Sequence, residues 1–89
     1  MNKETELKYR QEAPVIDDKL FQDRLTLAIK STGMSYRDMA ARCNVGVTTL
    51  SSYVCGVHRP LNDILYAICK VTGVSADWLL GLDETRCPK

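Results

Sequence analysis

The chain has 89 residues, enough for one small domain with a modest core. Its 45% hydrophobic and 26% charged content are ordinary globular values, which excludes a low-complexity or disordered composition. A formal net charge of +1 excludes strong bulk attraction to phosphate, so any nucleic-acid contact has to come from cations clustered locally. Residues 1–16 mix Lys, Glu, Arg and Gln around a single strong apolar anchor, Leu7, and Pro14 ends any helix there. They are expected to form a loose N-terminal arm. Asp17 or Asp18 is the expected N-cap of a first helix that runs to about Thr32. Leu20, Phe21, Leu25, Ala28 and Ile29 fall on one face of it, and Leu27 falls off that stripe. Gly33 supplies the stop.

Ser35, with Asp38 three residues on, approximates a capping box for a second helix of about nine residues ending near Cys43. A tight turn between two helices needs a residue at positive φ, and Asn44 is the candidate, Asn being second only to Gly there. Val45 is then expected to turn inward. Gly46 opens a third helix, Val47 to about Cys55, with Leu50 and Tyr53 buried. After Gly56 a short basic loop carries His58 and Arg59. A fourth helix is expected from about Asn62 to Thr72, with Ile64, Leu65, Ile68 and Val71 inward. Ser75 caps a short fifth helix through Leu80, with Trp78 and Leu79 as anchors and Asp77 favouring its positive N-terminal end. Residues 83–89 read as a polar tail. The fold class that follows is all-α, with residues 17–82 as one five-helix unit, and the tight second-to-third connection points to a helix-turn-helix domain.

Four cysteines occur without a CxxC pair, beside a single His, so neither a metal centre nor a disulfide framework is expected. Cys43 and Cys69 lie on apolar helical faces, where a free thiol acts as a small hydrophobe. No apolar run reaches membrane-spanning length and no signal-peptide core is present, so the expectation is a cytoplasmic protein without a membrane partner. No nucleophile, base and orienting group fall together at a useful spacing, so no enzyme activity and no cofactor are expected.

The stretch SYRDMAARCNVGVTTLSSYVCG, residues 35–56, and the run Gly73-Val74-Ser75-Ala76-Asp77-Trp78-Leu79-Leu80-Gly81 resemble the Cro/CI-type, lambda-repressor-like (XRE) helix-turn-helix family. Met34-Ser35, Met39-Ala40, Asn44-Val45, Leu50, Tyr53, Gly56 and Pro60 stand where that family keeps similar residues, and the resemblance spans about Phe21 to Leu82. It implies a five-helix fold whose third helix enters the DNA major groove. On that basis Val47, Thr48, Thr49, Ser51 and Ser52 are the expected base-facing residues. Ser35, Tyr36 and Arg37 are expected to meet one phosphate, and His58, Arg59 and Asn62 another.

Several positions depart from the family pattern. Tyr36 stands where Gln is usual, Gly46 where Ser or Thr caps the third helix, and Val57 where Lys is common. Ile29 and Val54 replace a buried Arg–Glu pair, and two packed hydrophobes can substitute for such a pair when both partners change. The reading helix carries only short side chains, which offer methyl contacts and single hydroxyl bonds rather than bidentate base contacts. Modest direct readout, with more reliance on DNA shape, follows. The resemblance implies a sequence-specific regulator, a repressor acting as a homodimer on a two-fold operator in double-stranded DNA. The alternative is a protein-interaction module on the same fold, such as an antitoxin or adapter with weak DNA binding.

Overall fold

The computed structural model describes residues 14–83. The expected arm, apart from residues 14–16, and nearly all of the expected tail lie outside the described residues. Among the described residues there are five helices and no strand: α1 (Asp18–Thr32), α2 (Tyr36–Arg42), α3 (Val47–Cys55), α4 (Asn62–Thr72) and α5 (Ala76–Leu80). Helix starts are set by side-chain caps where the sequence supplies one. Asp17, Ser35 and Ser75 accept hydrogen bonds from the backbone N–H groups of Leu20, Asp38 and Trp78, each at 3.1 Å. Of the two candidate caps for α1, Asp17 takes the role, and Asp18 becomes the first helical residue.

α2 is seven residues long, shorter than the pattern suggested, because the chain leaves the helix at Cys43 and Asn44 adopts φ 60°. The Val45 N–H then donates to the Ala40 carbonyl at 3.0 Å and the Asn44 N–H to the Ala41 carbonyl at 3.1 Å. This Schellman arrangement satisfies carbonyls the helix end would otherwise leave open, and it turns the chain sharply into α3. Asn44 is the one non-glycine among the described residues with positive φ. Val45 is half-buried against the core, as the turn requires.

The core gathers Phe21, Leu25, Ala28 and Ile29 of α1, Met39 and Ala40 of α2, Leu50 and Tyr53 of α3, and Ile68 of α4. Cys43, Val74, Trp78 and Leu79 complete it. α1 is the hub, packing against α3, α4 and α5, while α2 packs against α3 and α4. Ala40, 1% exposed, stands where α2 meets the other helices, and a larger side chain has no room there. Ile29 is buried and Val54 packs against the same cluster, so both members of the replaced ion pair are apolar parts of one core. Ile64, Leu65 and Val71 are half-buried rather than central, leaving Ile68 as the fully buried residue of α4. Leu27 is exposed. Arg24 ties the last helix down. Its Nη1 donates to the carbonyls of Trp78 at 2.5 Å and Asp83 at 3.1 Å, and its guanidinium lies 5.0 Å from the Trp78 ring centroid. That combination caps the negative end of α5 and adds a cation–π contact.

Candidate nucleic-acid interface

α3 is fixed by its buried side. Leu50 is fully buried and Tyr53 is 5% exposed, so the helix cannot rotate about its axis without opening the core. The opposite side is thereby committed outward. Val47, Thr48 and Thr49 are exposed, while Ser51 and Ser52 are half-buried. The Ser52 hydroxyl donates to the Thr49 carbonyl at 2.6 Å, turning back on its own helix. The N-terminal half of α3 therefore offers the open surface, and the second half offers less than its sequence suggested.

Gly56 terminates α3 at φ 85°, and the loop folds back beside the helix it leaves. The N–H groups of Val57 and His58 both donate to the Ser52 carbonyl, at 2.9 and 3.3 Å. These bonds bring His58 and Arg59 alongside α3. Thr48, Thr49, Ser52, Tyr53, His58 and Arg59 together line one open groove. A Cβ at Gly56 would clash with the Gln22 side-chain amide, so α1 also approaches this loop closely.

At the start of α2, Ser35 is exposed and its oxygen accepts the Asp38 N–H. Arg37 is exposed beside it, whereas Tyr36 is half-buried and packs against the core. Asn62, the first residue of α4, is exposed and shares a different hollow with Ile16, Phe21, Arg59, Pro60, Leu65 and Leu80. The structure thus brings Thr48, Thr49, Ser52, His58 and Arg59 together, and leaves Asn62 outside that groove.

Asp18 enters the sequence reading only as a candidate helix cap and not as a site residue. Its carboxylate accepts both a hydrogen bond from Arg59 Nε and one from Arg59 Nη2, each at 2.8 Å, across 41 residues of chain. The Arg59 guanidinium holds the Asp18 carboxyl below its ordinary range, chiefly through these hydrogen bonds, and Asp18 in turn raises Arg59. Two adjacent aspartates before a helix that needs one cap were the available signal, but nothing in the sequence pairs the second with Arg59. Both side chains remain more than half exposed.

A family model described as helix-turn-helix matches residues 27–79, more than half of the chain, across the α2–turn–α3 unit and on to α5. The chain belongs to the Cro/CI-type helix-turn-helix family. Membership supports a DNA-binding helix-turn-helix regulator, in a family that is not enzymatic. No curated protein and no solved structure matched the chain. No helix among the described residues is long and apolar enough to cross a membrane.

Proposed function

We propose that this protein is a sequence-specific transcriptional repressor that inserts α3 into the major groove of double-stranded DNA and acts in the cytoplasm as a homodimer. The observation that carries the reading is the shared groove of Thr48, Thr49, Ser52, His58 and Arg59. It sets short side chains, exposed at Thr48 and Thr49, beside His58 and Arg59 on a single face. Short residues at the N-terminal half of α3 allow close approach to base edges. Val47 and Thr48 offer methyl groups to thymine, and Thr49 offers a hydroxyl. Ser35, Tyr36 and Arg37 flank the helix on one side as phosphate contacts, and His58, Arg59 and Asn62 on the other.

Residues 17–82 act as the DNA-binding unit. The dimer contact uses the apolar hollow of Pro14, Val15, Ile16, Leu20, Leu80 and Leu82, whose rim residues Val15 and Leu82 are 81% and 76% exposed. Two such rims meeting about a two-fold axis bury apolar surface that one protomer leaves in water.

The test is fluorescence anisotropy with random-sequence duplex across a salt series. Arg37 and Arg59 are the Arg or Lys residues among the proposed contacts, so at most about two phosphates per protomer are neutralised. The slope of log K against log salt is then no steeper than about −2 for one protomer and about −4 for a dimer. No binding at low salt, with a stable complex to a protein partner, contradicts the reading and favours an interaction module. Selection from a random DNA pool then gives the operator and the half-site spacing.

A further inference from the structure

The Asp18–Arg59 pair stands at the edge of the proposed DNA-facing groove. Arg59 lines that groove with Thr48, Thr49, Ser52 and His58. Its guanidinium is held on the other side by Asp18, in an adjoining hollow that also contains Gln22, Gly56, Val57 and His58. The carboxylate therefore engages two donor groups that a phosphate would use, with bidentate geometry at 2.8 Å. A carboxylate beside the loop also repels an approaching phosphate.

From this geometry we infer that Asp18 competes with the DNA backbone for Arg59 and so suppresses sequence-independent binding. The inference rests on the DNA-binding reading. Its weight comes from scarcity of charge. Arg37 and Arg59 are the Arg or Lys residues among the proposed contacts, and the chain carries a net charge of only +1. Neutralising Arg59 internally removes about half of that site's fixed positive charge. An exposed ion pair is weak enough to be exchanged for a phosphate when the rest of the interface fits. On a random duplex, where fewer contacts form, the exchange gains less. The pair thus lowers non-specific affinity more than specific affinity, and the ratio between the two matters for finding one operator among many competing sites. Asp18 is a positioning residue in this scheme: it touches no DNA and acts through Arg59.

The experiment compares the full-length protein with Asp18→Asn, Asp18→Glu, Arg59→Gln and the Asp18→Asn/Arg59→Gln double variant, binding a random duplex across a salt series. Asp23→Asn serves as the charge control, because Asp23 sits on the same helix paired with Lys19 at 2.9 Å. Asp18→Asn is expected to tighten binding by about two- to five-fold, the equilibrium weight of an exposed pair. It also steepens the salt slope by about one per protomer. Asp18→Glu retains wild-type behaviour, Asp23→Asn changes neither quantity, and the gain disappears in the double variant. Equal or weaker binding by Asp18→Asn, an unchanged slope, or a gain that survives Arg59→Gln overturns the inference. A merely structural pair would alter thermal melting, followed in parallel, and leave the slope alone. If neither wild type nor Asp18→Asn binds at low salt, the DNA-binding reading itself fails and this inference with it. Binding by wild type with no gain in Asp18→Asn defeats the inference alone.

Discussion

The turn at Asn44 sets the relation of α2 to α3, and its chemistry predicts a graded response to substitution. Asn44 sits at φ 60° and is exposed, so replacements change backbone energetics without disturbing the core. The left-handed region costs an ordinary L-residue about 1–2 kcal/mol, and Asn less because its short polar side chain is tolerated there. Asn44→Ala should therefore destabilise the domain by about 1 kcal/mol, which lowers the melting temperature of a domain this size by about 4–8 °C. Asn44→Val should cost more, since a β-branched residue at positive φ is a true outlier. Asn44→Gly relieves the steric cost but raises unfolded-state entropy by a comparable amount, about 0.4–1 kcal/mol, and should lie close to wild type. Urea denaturation followed by circular dichroism is the assay. The midpoint should fall in the order Asn and Gly, then Ala, then Val, with the slope unchanged. Ala and Val as stable as Asn would mean that the turn does not need left-handed backbone in solution.

Gly46, Ser35 and Ser75 have nearly the same N-cap backbone, but only the two serines supply a capping oxygen. Gly46→Ser should stabilise by a few tenths of a kcal/mol in the same denaturation assay, roughly the difference between Ser and Gly caps, since a Cβ there meets only Thr49 Oγ1 at an ordinary 3.9 Å. Thr48→Glu should abolish selective duplex binding while leaving the melting temperature within about 1–2 °C of wild type, because Thr48 is exposed and packs no core. Burial pushes the Cys43 and Cys69 thiols up, while Cys55 is exposed. In a Cys87→Ser background, iodoacetamide at pH 8 should therefore label Cys55 first and Cys43 only after denaturant is added, as read by mass spectrometry.

Much of the fold is legible in the sequence because local signals and apolar spacing agree. Ser35 and Ser75 mark helix starts, Gly33, Gly56, Gly73 and Gly81 mark stops, and Leu25, Leu50 and Leu79 fall where the core needs them. The length of α2 was less legible. Its end depends on hydrogen bonds from Asn44 and Val45 back to Ala41 and Ala40, which no spacing rule displays. On α3 the residue pattern picks out Val47, Thr48 and Thr49, which are exposed, along with Ser51 and Ser52, which are half-buried. The grouping of Thr48, Thr49 and Ser52 with His58 and Arg59 depends on how the loop after Gly56 folds back. The bond from Arg59 to Asp18 was illegible, because it joins residues 41 apart whose side chains meet only once α1 packs against α3. The inward turn of the Ser52 hydroxyl is likewise a rotamer outcome, invisible in a pattern of residue types.

We propose that one face of the domain, made by the start of α2, the N-terminal half of α3 and the loop after it, meets DNA. Amide chemical shifts followed by NMR during titration with an operator-containing duplex test it directly. The shifts should concentrate at residues 35–37, 47–52 and 57–59. The amides of Tyr66 and Lys70, on the exposed side of α4, stay in place. Shifts centred on α4 with α3 unmoved would contradict it.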